Sequence, residues 1–290
     1  MHRFANISEL KTTAHFALAE SVVFGQPLAQ PAPRIASLVP SLTELVIALG
    51  LGPQLVARTG FCIHPAEAVR GVSKVGGTKD VNLVKLQGLR PTHVLVNVDE
   101  NRLDTVDKIR AWPEALVPQI VVTHPLGPED NLALVAQLAA HFGHVAGVPE
   151  RAAALTRELQ AELVQTRPAA WPEQRVLYLI WRDPWMTVAR DTYLSRMLAR
   201  VNMHTLPEVL GGDTGAARYP AFAGAETWLA QVQRVLLSSE PYAFGTQHLD
   251  EAQRLCPNAR VQLVDGEMLS WFGARAVPGL RYLRKLANAA

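Results

Sequence analysis

"RIASLVPSLTELVIALGLG", Arg34 to Gly52, sets two short patterns end to end with no spacer. The first seven residues are a compact apolar run closed by a proline, which suits a strand buried on both faces. From Ser41 the apolar residues recur at helical spacing. Ser41 is placed to cap that helix, Glu44 follows three residues on, and Gly50 or Gly52 can end it. A strand passing directly into a helix predicts an α/β layer with parallel strands.

The alternation continues outward. Apolar runs return at "QLVAR" (54–58), "HVLVNV" (93–98) and "QIVVTHP" (119–125), and helix-like segments lie between and after them: "NLVKLQGL", "NRLDTVDKIRAW" and "NLALVAQLAAHFG". "VPERAAALTRELQAELVQTRPAAWP" then predicts one long helix, opened near Pro149 and stopped by Pro168. A second alternating set follows, with strands at "RVLYLIW", "RVLLSSEP" and "RVQLVDGE" and helices at "TYLSRMLARVN", "LDEAQRLCP" and "LRYLRKLANAA". The expected organisation is an extension over 1–33, an α/β lobe over 34–147, a connecting helix over 148–170 and a second α/β lobe over 171–290.

The formal charge of +2 on 290 residues is near balance, with no basic stripe of the kind that binds nucleic acid. No apolar run reaches the roughly 18 residues that span a bilayer. Glu9, Lys11 and Glu20 interrupt the N-terminal stretch where a signal peptide needs an apolar run, so no signal is read there and a cytoplasmic location is expected unless the start site is misassigned. Cys62 and Cys256 are the only cysteines and are read as free buried thiols rather than a disulfide framework.

Phosphate-loop, dinucleotide, nucleophile-elbow and zinc-protease motifs are absent. "KVGGTKD" (74–80) reads as a flexible turn. "GFCIHP" (60–65) sets Cys62 and His64 two apart; in an extended segment both would face one way. Too few partners exist for structural zinc, and no base or oxyanion donor is identified for a nucleophilic cysteine; a place in a cleft wall and His64 as a single axial ligand or donor to a bound cofactor both stay open. "NVDENR" (97–102) follows a strand, where α/β folds bind ligands; Asp99 or Asn101 is favoured as a cap of the next helix, and the two roles can coexist. "LIWRDPWMTVARD" (179–191) crowds Trp181, Arg182, Trp185 and Met186 around a proline. They can wall a flat ligand or pack a core, and both readings are open. "GEMLSWFG" (266–273) repeats the theme with Met268, Trp271 and Phe272.

Together "RIASLVPSLTELVIALGLG…LVARTGFCIHP", "VSKVGGTKDVNLVKLQGLRPTHVLVN" and the single long helix resemble the cobalamin and iron–siderophore binding proteins of ABC importers, the helical-backbone (class III) periplasmic binding proteins. "YLIWRDPWMTV", "SSEPYAF" and "VDGEMLSWFG" resemble a cobalamin-binding branch, and the likeness runs from Arg34 to Tyr282. It implies two Rossmann-like lobes on one backbone helix, with a corrinoid, haem or iron–siderophore in the cleft. No intrinsic cofactor, a monomer, a possible ABC permease partner and, by family default, a periplasmic location are implied as well. Ligand contacts carry over to Pro40, Ser41, Phe61, Cys62, His64, Gly77, Thr78, Asn97, Glu100 and Asn101 in the first lobe, and to Trp181, Arg182, Trp185, Tyr219, Glu240 and Trp271 in the second. Permease contacts carry over to Glu67 and Glu226. Two other readings use the same scaffold: a corrinoid-modifying enzyme reacting through Cys62 and His64, and a cytoplasmic sensor read by a partner protein.

Overall fold

The computed structural model describes residues 31–212 and 215–289, so most of the expected N-terminal extension lies outside the described residues. Strand β1 (Ile35–Ser37) passes into helix α1 (Pro40–Ala48) within three residues. Then come β2 (Leu55–Arg58), α2 (Ala66–Val69), β3 (Ser73–Lys74), α3 (Leu83–Gly88), β4 (His93–Asn97), α4 (Leu103–Arg110), β5 (Gln119–Thr123) and α5 (Asp130–Phe142). The sheet is parallel throughout, in the order β3-β2-β1-β4-β5. All three residues of β1 and four of five in β4 are buried, as expected when helices cover both faces of a parallel sheet. Ser41 does not cap α1: the helix starts a residue earlier, at Pro40, whose fixed φ and missing N–H suit the first turn.

Helix α6 (Val148–Gln165) follows. Gly147, at φ 83°, turns the chain into it and Pro149 stands in its first turn. Ala152 joins the core around Leu42, Leu45, Leu138 and Phe142, whereas Leu159 and Leu163 join a second core around Tyr178, Met197 and Leu280. One helix of about 27 Å thus seats its first half in one core and its second half in another.

The second half of the chain builds β6 (Gln174–Leu179), β7 (Trp185–Met186), α7 (Tyr193–Ala199), β8 (Met203–Thr205), β9 (Ala221–Phe222), β10 (Arg234–Ser238), α8 (Leu249–Leu255), β11 (Arg260–Val264), α9 (Gly266–Ser270) and α10 (Ala276–Asn288). Strands β11-β10-β6-β8 form a parallel sheet in that order, and β7 and β9 make a short antiparallel ribbon. The brief strands β3, β7, β8 and β9 were not expected, because two or three residues carry no readable alternation. Helix α10 lies against α6, where Arg281 and Arg284 hold the buried carboxylate of Glu162 at 2.7 and 2.9 Å.

A second seam joins the two halves far from α6 in sequence. The one-turn helix Gly273–Arg275 packs on α1, and Phe272 and Tyr193 enter the first core. Gly273 sits at φ +75°, and an added Cβ would lie 3.3 Å from both Leu45 Cβ and the Ser41 carbonyl. The site therefore needs both glycine's left-handed backbone and its lack of a side chain. Its N–H donates to Asn131 Oδ1, and Asn131 Nδ2 donates to Tyr193 Oη at 3.0 Å. Arg275 donates to both oxygens of Glu44 and, at 2.8 Å, to Glu267.

Candidate functional site

In each sheet the strand order reverses once, between β1 and β4 in the first and between β6 and β10 in the second. Ligands of open α/β sheets bind beyond the carboxyl ends of strands at such reversals. Here both reversals open onto one cavity of about 710 Å³. Val39, Pro40 and Ser41 after β1, and Asn97, Asp99 and Glu100 at the end of β4, wall it from one sheet; Ile180 and Trp181 after β6, and Glu240 and Pro241 after β10, wall it from the other. Phe61, Tyr219 and Trp271 add aromatic surface.

The loop after β4 is shaped by its own polar groups. Asn97 Oδ1 accepts from the Asp99 and Glu100 amides at 2.9 and 3.3 Å. Asn101 Oδ1 accepts from the Asn97 amide, and its Nδ2 donates to the carbonyls of Thr78 and Leu38 at 3.0 and 3.3 Å. Asn101 thus ties three loops together from behind the cavity wall. Neither it nor Asp99 caps α4, which begins after Arg102 without a side-chain cap.

Ten of the sixteen sequence-derived ligand positions line the cavity: Pro40, Ser41, Phe61, Thr78, Asn97, Glu100, Trp181, Tyr219, Glu240 and Trp271. Six do not, each for a local reason. Cys62 is fully buried because Gly60 and Phe61 form a turn instead of prolonging β2; its thiol lies 3.1 Å from Thr59 Oγ1, so it does not face the same way as His64. His64 stands beside the wall, its Nε2 3.3 Å from Glu267 and its ring edge-on to Trp271. Gly77 lies behind Phe61, whose ring would be 3.4 Å from an added Cβ. Asn101 is the tie just described. Arg182 is held by Glu251 at 2.8 Å and by Asp183. Trp185 stacks on Phe244 at 6.3 Å and belongs to the core beneath β10. Away from the cavity, Glu67 is exposed and pairs with Arg70, while the Glu226 carboxylate accepts the Ala223 and Gly224 amides at 2.7 and 2.8 Å. Both cysteines are free and buried.

Several lining residues escaped the sequence reading, chiefly Glu267 and Arg218; Asp99 falls within the strand-end stretch 97–102 that the sequence singled out. Arg218 is 1% exposed and reaches Asp99 at 3.5 Å, with His124 on the same carboxylate at 3.6 Å. Its setting depends on a partner 119 residues away in sequence, which no local pattern signals. Among the described residues, Asp99, Glu100, Glu240 and Glu267 give the wall four carboxyl groups against one basic lining residue, Arg218. Burial raises the pKa of Glu100, against the pull of Lys79 and with help from Asp99 and Glu240. Burial also raises that of Glu240, although Ser270 and the Trp271 indole donate to it at 2.8 and 2.9 Å.

A carboxyl whose pKa is higher folded than unfolded binds its proton more tightly in the folded state. Stability is therefore greatest at low pH and is lost as pH rises through the folded pKa. Glu100→Gln is accordingly expected to melt above wild type at pH 7.5, with the difference closing as pH falls through the raised pKa of Glu100. Thermal scans across that range check it; an equal or lower melting point at pH 7.5 would show that ionised Glu100 is not destabilising.

Two parallel sheets, a helix shared between their cores and one aromatic, acid-lined cavity at facing strand reversals define a two-lobed ligand-binding fold. The chain belongs to the periplasmic binding protein family, whose description matches residues 35–218. The uncharacterized ABC transporter substrate-binding lipoprotein YvrC of Bacillus subtilis (strain 168) is 28% identical over 171 residues, 57% of this chain and about half (52%) of YvrC. The vitamin B12-binding protein of Vibrio cholerae serotype O1 is 25% identical over 228 residues, 74% of each chain. Among solved structures, the periplasmic vitamin B12 binding protein BtuF of Vibrio cholerae superposes with a TM-score of 0.71 at 22% identity, covering 90% of this chain and 99% of that one. No described helix is long and apolar enough to cross a membrane.

Proposed function

We propose that this protein is the non-enzymatic receptor of an ABC importer and holds a corrinoid or a related metal chelate between its two sheets for delivery to a permease. The observation that carries this reading is the cavity itself. Its volume of about 710 Å³ lies within the usual range for sites that enclose a small organic ligand. Trp181, Tyr219, Phe61 and Trp271 offer flat apolar surface, while Asn97, Ser41 and the carboxyl groups can meet polar groups on a ligand's edge. The 25% identity to a vitamin B12-binding protein over three quarters of each chain supports the corrinoid class, and the family supports a place in the cell envelope. The reacting-cysteine alternative loses its nucleophile, because Cys62 is sealed from the cavity. An axial role for His64 would require its Nε2 to leave Glu267.

Titration with cobalamin, read by tryptophan fluorescence and the visible spectrum, tests the proposal. Saturable quenching with a Kd between nanomolar and micromolar is expected, equivalent to about −12 to −8 kcal/mol. Trp181→Ala is expected to weaken binding about tenfold, roughly 1.4 kcal/mol, with the fold intact. No saturable response to cobalamin, haem or a ferric siderophore would overturn the reading.

A further inference from the structure

The four carboxyl groups on the cavity wall are not equivalent. Asp99 faces the buried guanidinium of Arg218, with His124 beside it. Glu267 faces Arg275 at 2.8 Å and His64 at 3.3 Å. Glu100 and Glu240 have no ion-pair partner among the described residues. One comes from the end of the first sheet and the other from the end of the second, both line the same cavity, and the charge of Glu240 helps to raise the pKa of Glu100. Glu240 is fixed by donors from Ser270 and Trp271. Glu100 sits on the turn fastened by Asn97.

We infer that Glu100 and Glu240 act as a charge filter, admitting chelates whose rim carries amides or positive charge and disfavouring those whose rim carries carboxylates. The inference rests on the reading that this cavity takes a flat chelate, and it narrows the class. A primary amide at the ligand's edge donates N–H to a carboxylate oxygen and satisfies it. A carboxylate in the same place brings like charges together in a partly desolvated cavity, where water screens them poorly. Arg218, the one basic residue of the wall among the described residues, cannot offset this, because it already faces Asp99.

The test compares two scaffolds, each in a neutral and a carboxylate form: haem dimethyl ester against haem, and cobinamide against cobyrinic acid, in which carboxylates replace the amides. Wild type is expected to bind the neutral member of whichever scaffold it accepts at least tenfold more tightly. The Glu100→Gln/Glu240→Gln double variant keeps side-chain acceptors for Ser270 and the Trp271 indole, and circular dichroism and melting confirm that it is folded. In this variant the gap is expected to shrink to about threefold or less, because the carboxylate member gains affinity. The change in the gap is the deciding readout, since an ester is also more apolar than its acid and would be favoured somewhat by that alone. Equal affinities within a scaffold in wild type, or a gap unchanged in the double variant, would overturn the filter while leaving chelate binding standing. If neither form of either scaffold binds, the filter falls together with the flat-chelate reading on which it rests.

Discussion

Replacing Arg275 by methionine is expected to lower the folding stability by about 3 kcal/mol or more, the loss typical of breaking one side of a buried ion pair. The Arg275 side chain is 10% exposed and that of Glu44 12%, so solvent does little to screen the charge left behind. The guanidinium grips Glu44 on α1 and Glu267 on α9, and lies 4.6 Å from the Trp271 ring centroid. One substitution therefore strands Glu44, leaves Glu267 facing only His64, and removes the cation from beside an aromatic of the cavity wall. Urea denaturation at neutral pH gives the size of the loss. Adding Glu44→Gln to Arg275→Met is expected to recover part of it, because the stranded charge is then gone. A loss below about 1 kcal/mol would place the pair with solvent-screened surface bridges.

Asn131→Ala is expected to cost about 3 kcal/mol through a different mechanism. Asn131 is fully buried, donates to the Pro128 carbonyl at 2.8 Å and to Tyr193 Oη, and accepts the Gly273 amide. Alanine leaves these groups buried without their partner, and each such group typically costs about 1–3 kcal/mol. Because Gly273 and Arg275 belong to one turn, combining Asn131→Ala with Arg275→Met should cost less than the sum of the two. Denaturation curves of both single variants and the double variant decide this. Strict additivity would mean that the amide and the guanidinium hold α1 independently.

Much of this architecture is legible in the sequence because parallel α/β layers write themselves as alternating runs. The strands around Ile35, Val94, Leu177 and Leu236 are continuous apolar segments, and the helices between them keep apolar spacing. Trp181 and Trp271 were legible as wall residues because each comes shortly after a strand. Trp185 sits only four residues from Trp181, yet the β7–β9 ribbon carries it onto Phe244 and away from the cavity. Arg182 looked free to meet a ligand, but Glu251, 69 residues on, claims it. Local pattern predicts which strand end a residue occupies. It does not report the long-range partner that decides whether the side chain is available, and so Arg218 and Glu267, which complete the wall's charge beside Asp99, Glu100 and Glu240, were its least visible members.

The seam at Gly273–Arg275 also bears on how the protein is made. Arg275 and Glu44 are separated by 231 residues, which at ordinary rates of translation is roughly 10 to 50 s of synthesis. Throughout that interval α1 has emerged, but Phe272 and the turn that closes over it do not yet exist. The first core is completed by residues made more than two hundred positions after α1, so its apolar edge stays open to chaperones throughout that interval.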